Sequence, residues 1–216
     1  MKNSVRATRV GGILLLGLLV FSAGGCQLDY LFSGRGVSQR VYHIKAKQRV
    51  LVLVDSSPES PLSIHAVSSL IVATNQDLYK NRAATILIPP YRLVALMKSH
   101  PVSYREMGIA DIARALNANL VIYIFIDRFR NQLISDKQIT QGDAQAYIKL
   151  VSASGTRLWP KGATPGQLVT ARVPPGLAMS QNTVSVQDSL LAQIANTTAG
   201  FFYAHSKTYK QSESGN

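Results

Sequence analysis

Cysteine is almost absent from this chain. Cys26 is the only one in 216 residues, so no disulfide and no thiolate metal cluster can form within it. Acidic residues are scarce too: 11 Asp and Glu stand against 23 Lys and Arg, a formal net charge of +12. Such an excess favours anionic partners, whether lipid headgroups, acidic polysaccharide or nucleic acid. Tryptophan occurs once, at Trp159. The four histidines, His43, His65, His100 and His205, are scattered without ligand spacing. Catalytic signatures are missing as well. There is no glycine loop ending in Lys-Ser or Lys-Thr, no dinucleotide fingerprint, no His-Glu-x-x-His helix and no Gly-x-Ser-x-Gly elbow. The expectation is a protein that is not an enzyme and that carries neither cofactor nor metal.

The clearest positive signal lies at the amino terminus. Lys2, Arg6 and Arg9 precede a stretch from Val10 to Ala23 dominated by Ile13, Leu14, Leu15, Leu16, Leu18, Leu19, Val20 and Phe21. Ala23, Gly24 and Gly25 then lead directly into Cys26. Charge, apolar core and small-residue cleavage site follow in secretory order. The apolar part is short for a bilayer span, which needs roughly 20 residues. Small-small-Cys resembles the site cut by the lipoprotein signal peptidase, after which the cysteine carries lipid. Residues 1–25 are therefore expected to be a signal peptide and Cys26 a lipidated, palmitate-bearing anchor. Gln27 occupies the position where Asp commonly signals inner-membrane retention, which points to the outer membrane, facing the periplasm.

Removing residues 1–25 from 216 leaves 191, a length suited to one domain. The signal takes three of the 23 basic residues and no acidic one, leaving 20 against 11, a net +9. In the periplasm, nucleic acid is the least available anionic partner, and none is expected. Arg35, Arg40, Lys45, Lys47 and Arg49 lie in a stretch, Leu31 to Val54, without a single acidic residue. They either strengthen attachment to an anionic surface or keep a solvated tether soluble.

Residues 26–41 read as that tether, 42–205 as a single α/β domain and 206–216 as a disordered polar tail. Val50 to Val54 form an apolar run suited to a strand covered on both faces. Ser60 and Pro61 predict a helix start, continued by Ile64, Val67, Leu70, Ile71 and Leu78. A second buried strand is expected over Ala84–Ile88, and a short helix from Tyr91. Ser103 with Glu106 has capping-box spacing for a helix carrying Met107 to Leu116 and ending near Asn117. Leu120–Ile126 predicts a third strand. Ala144 to Val151 alternates like a strand with one solvated face, turns at Ser154 and Gly155, and returns to Trp159. Residues 160–183 read as a long excursion, with one alternating piece at Leu168, Val169, Ala171 and Val173. Ser185 and Asp188 predict the cap of a last helix. The fold class expected is α/β: a two-layer or three-layer sandwich of a mixed sheet with packed helices, in the order β-α-β-α-β-β-β-α.

Two carboxylates sit where open α/β sheets place ligands. Asp55 follows the first strand, with Ser56, Ser57 and Glu59 close by, and Asp127 follows the third. Together they could hold a cation or act in acid-base chemistry, or they could simply satisfy loop amides. Trp159 is either a partner anchor or a core residue.

The run Ile109-Ala110-Asp111-Ile112-Ala113-Arg114-Ala115-Leu116-Asn117-Ala118-Asn119-Leu120-Val121-Ile122 resembles the helix-to-strand step of the curli-secretion lipoprotein family. Gly155-Thr156-Arg157-Leu158-Trp159 is similar to a turn in the same group. Related folds occur in the lipoprotein activators of penicillin-binding proteins and in the amino-terminal domain of the Tol translocation protein. The resemblance implies an envelope lipoprotein. That family builds a barrel from two long membrane-crossing hairpins, for which residues 131–140 and 160–183 are expected to be too short and irregular. The leading expectation is a membrane-anchored, non-enzymatic assembly or interaction module, attached to lipid through Cys26 and meeting a protein partner. Homo-oligomerisation stays open. The alternatives are an oligomeric secretion-channel component, or a small hydrolase or cation-binding protein using Asp55 and Asp127.

Overall fold

The computed structural model describes residues 37–134, 139–162, 164–173 and 183–206. The signal, Cys26 and the first part of the tether lie outside the described residues, as do 207–216. The chain divides into two compact units. Among the described residues the smaller one holds an antiparallel pairing of β1 (Val37–Ser38) with β8 (His205–Ser206). The larger unit, Gln39–Ala204, carries the sheet and helices.

That unit is α/β with a mixed sheet. Its order is β3 (Ile86–Leu87), β2 (Arg49–Ser56), β4 (Leu120–Ile134), β5 (Ile139–Ser152), with β6 (Arg157–Trp159) and β7 (Gln167–Val173) both pairing along the far side of β5. β2 runs parallel to β3 and β4, while β4 and β5 form an antiparallel hairpin. Strand alternation divides the side chains between two faces. Val50, Val52, Val54, Ile122, Ile124, Ile126, Ala146, Ile148 and Leu150 share one of them and are buried. It lies under α1 (Ile64–Lys80) and α5 (Thr183–Gly200), which contribute Leu70, Leu78, Leu190 and Ile194. Each such side chain contributes roughly 1.5–3 kcal/mol of burial free energy. The opposite face is covered only in part, by α2 (Pro90–Ser99), the single turn α3 (Ser103–Glu106) and α4 (Ile109–Ala115).

Local chemistry sets the ends of the elements. The Ser63 hydroxyl accepts the Ala66 N–H at 3.2 Å, so the cap of α1 lies three residues after the predicted Ser60. Pro61 lies in the lead-in, where it needs no N–H partner. α1 and α4 end alike: Arg82 and Asn117 take φ of 55° and 54°, and the N–H groups of Ala83 and Ala118 reach back to Leu78 and Ala113. The helix predicted to open at Ser103 and carry Met107 to Leu116 is instead two pieces, α3 and α4. Its capping carboxylate is Asp111, whose Oδ2 accepts the Gly108 N–H, rather than Glu106. β3 is shorter than expected, two residues, and α5 begins at Thr183.

The largest departure concerns β4. The apolar run stops at Ile126, yet the strand continues to Ile134, making 15 residues against 14 in β5. A bulge between Ile126 and Arg128 shifts the register by one residue at Asp127. The polar pair Asp127-Arg128 thus interrupts the apolar pattern without ending the ladder. Residues expected to be an irregular stretch belong to a long hairpin.

Candidate functional site

The chain crosses from β2 to β3 on one side and returns to β4 on the other. The carboxyl end of β2 is therefore a switch point between two parallel neighbours, where open sheets leave a crevice. A crevice of about 650 Å³ lies there, within the range of small-molecule sites. Apolar side chains make most of its wall: Leu62, Val67, Leu93, Met97, Ile109 and Ile112. They come from the approach to α1, from α1 itself, and from α2 and α4. Ile64, at the first position of α1, is 55% exposed at the same crevice.

Asp55 is the charged residue of this lining. Its Oδ1 accepts the Ser56 N–H at 2.8 Å and its Oδ2 accepts the Tyr123 hydroxyl at 3.3 Å. Burial holds the Tyr123 phenol protonated well above its ordinary value of 10, helped by the Asp55 charge and their hydrogen bond. Tyr104 is raised too, by burial first and by Asp55 second. The result is one carboxylate, two neutral phenols and a greasy floor.

The register carries this site outward across the sheet. Asp55 pairs with Phe125, Phe125 with Tyr147, and Tyr147 with Leu168, so the four form a row on the incompletely covered face. Phe125 and Tyr147 are half-buried, and Leu168 is 45% exposed. In the next row Tyr123 pairs with Lys149, whose ammonium lies 5.7 Å from the ring centroid. Arg128, Arg130 and Arg172 share the face further along the hairpin, where Arg128 meets Asp143 at 3.0 Å.

Asp127 does not join Asp55. It sits at the β4 bulge rather than at a strand end, and lines a separate polar crevice of about 620 Å³ with Ser57, Glu59, Arg128 and Arg130. Among the described residues no three His, Cys, Asp or Glu side chains come within reach of one metal ion. Trp159, on β6, is half-buried, with its ring centroid 5.0 Å from Phe201 and 6.4 Å from Phe202. Cys26 lies outside the described residues. Sequence reasoning missed the tyrosines and the open row. Tyr123 and Phe125 are embedded in an apolar run, and only their pairing with Tyr147 and Lys149 shows that their face is not fully covered.

No family model matches the chain, and no curated protein does. Among solved structures, the chain is similar in fold to lipoprotein GNA1162 from Neisseria meningitidis: TM-score 0.46, 16% identity, 69% of this chain and 99% of that one. PelC from Paraburkholderia phytofirmans, a dodecamer, gives 0.44 at 16% identity over 76% and 96%. The LpoB carboxyl-terminal domain from Salmonella enterica gives 0.37 at 17% identity over 60% and 84%. These likenesses concern the path of the chain and assign no chemistry to its residues.

Proposed function

We propose that this chain is a non-enzymatic envelope module, held by lipid at Cys26 on the periplasmic side of the outer membrane, and that it works by docking a protein partner. The observation that supports docking is the row Phe125, Tyr147 and Leu168 on the open sheet face. Aromatic residues supply the anchors of protein interfaces, and this row is flanked by Lys149, Arg128, Arg130 and Arg172. A partner with an apolar centre and an acidic rim complements that face. The lipid at Cys26 would confine the encounter to the membrane surface.

Two measurements test this reading. Labelled palmitate should enter the wild-type chain and not Cys26→Ala; equal labelling of both removes the anchor. A photo-crosslinker replacing Leu168 should give a discrete adduct in native membranes. The same group at Val72, exposed on α1, should give none. Addition of one further chain mass would point to self-association and the oligomeric alternative. Absence of any adduct at Leu168 refutes docking by this face.

A further inference from the structure

The crevice beside Asp55 is built differently from the open sheet face, and its chemistry selects a different kind of occupant. Its walls are aliphatic and thioether side chains. The charge at its mouth is a carboxylate in a chain where Lys and Arg outnumber Asp and Glu 23 to 11. Among the described residues the ion pairs are Arg114 with Asp111 and Arg128 with Asp143. Neither pair involves Asp55, and the Lys149 ammonium stands over the adjacent Tyr123 ring, 5.7 Å from its centroid. The contacts of Asp55 are one backbone N–H and one phenol, which leaves acceptor capacity on both oxygens. Tyr104 also lines the crevice, and aromatic faces attract cations.

We propose that this crevice binds a small amphiphilic amine: a protonated amine hydrogen-bonded to Asp55, with an apolar body between α1, α2 and α4. The carboxylate rejects anionic amphiphiles of the same shape by repulsion. The apolar walls reject hydrophilic cations, which bring no surface to bury. Specificity thus comes from one charge and one greasy pocket acting together. This site adjoins the docking row at Asp55 but binds through the crevice walls and the carboxylate rather than through Phe125, Tyr147 and Leu168, so either can fail without the other.

The test uses the full chain in phosphatidylcholine nanodiscs with carbon-13 methyl-labelled methionine. Met97 and Met107 both line the crevice, and Met→Leu variants assign their resonances. n-Hexylammonium should shift both resonances saturably. It should bind about threefold to fivefold more tightly than n-hexanol, the range of a partly exposed ion pair, and hexanoate should bind more weakly than either. Asp55→Asn should bring hexylammonium down to the hexanol level and leave hexanol unchanged. From butylammonium to hexylammonium, each added methylene should tighten binding by about twofold to fourfold. Three results overturn the proposal: equal binding of hexanoate and hexylammonium, an amine preference that survives Asp55→Asn, or an affinity independent of chain length. The chain-length series needs no variant, so an unfolded Asp55→Asn would not protect the idea.

Discussion

Gly142 permits a direct test of how α5 is seated. It lies in β5 between Asn131 of β4 and Val173 of β7. A Cβ built there would stand 2.7 Å from Val186 Cγ1 and 2.9 Å from Leu190 Cδ1. Carbon atoms prefer separations of about 3.5–4.0 Å, and both neighbours are fully buried on α5. Gly142→Ala therefore forces the helix outward or its side chains off their rotamers, at about 1–3 kcal/mol. Loss of glycine's freedom in the unfolded chain offsets about 0.5–1 kcal/mol of this. The net is a destabilisation centred on about 1 kcal/mol, or about 2–4 °C in Tm for a chain of this size. Trp159 reports the transition, because its indole packs on Phe201 and Phe202 just beyond α5. Urea titration followed by its fluorescence measures the loss. Leu190→Ala alone should cost about 2–5 kcal/mol, and the double variant should fall short of the sum by about 1 kcal/mol, since the removed leucine relieves the clash. A Gly142→Ala variant as stable as wild type, or strict additivity in the cycle, would refute this account of the β5–α5 contact.

Helix capping separates two nearby serines. Ser63→Ala should cost about 1 kcal/mol, because it strips the cap from α1, while Ser60→Ala should stay within about 0.5 kcal/mol; thermal melts of the two decide between them. Alkaline pH should weaken the fold. Tyr203, which donates to Asp77 at 3.1 Å, is pushed up to about 12 from an ordinary 10, by burial first and then by the Asp77 charge and hydrogen bond. Its neutral form is the one favoured by folding, so its contribution is whole below about pH 10 and is lost as pH rises from about 10 to 12. Tyr104 and Tyr123 act in the same direction. The urea midpoint should fall between pH 8 and 11, and fall less in Tyr203→Phe; a midpoint rising with pH contradicts the assignment.

Much of the α/β frame could be read from residue pattern, and the places where reading failed share a cause. The β2 run, the α1 stripe and the β7 alternation are local periodicities, and the chain displays them openly. Asp127-Arg128 looked like the end of a strand because a bulge breaks alternation just as a loop does. What continues the ladder there is β5, whose paired residues beyond the bulge run from Arg128↔Gln145 to Ile134↔Ile139. Ser60 looked like a cap because its neighbours suit one; which serine meets an N–H depends on where the chain leaves β2.

Asp55 was visible as a polar residue closing a buried strand. Its isolation from Asp127, its two phenol neighbours and the apolar walls opposite it were not, because each comes from a different element. The lone cysteine, the basic excess, the absence of catalytic motifs and the alternation of strands and helices are properties of composition and of neighbours along the chain, and the sequence alone determined them. Register and helix placement are not. Only the tertiary structure decided that Phe125, Tyr147 and Leu168 line up on an open face, and that one carboxylate stands at the mouth of an apolar crevice. The physical reason is that hydrophobicity says whether a side chain prefers burial, while pairing across strands says which other side chains share its surroundings.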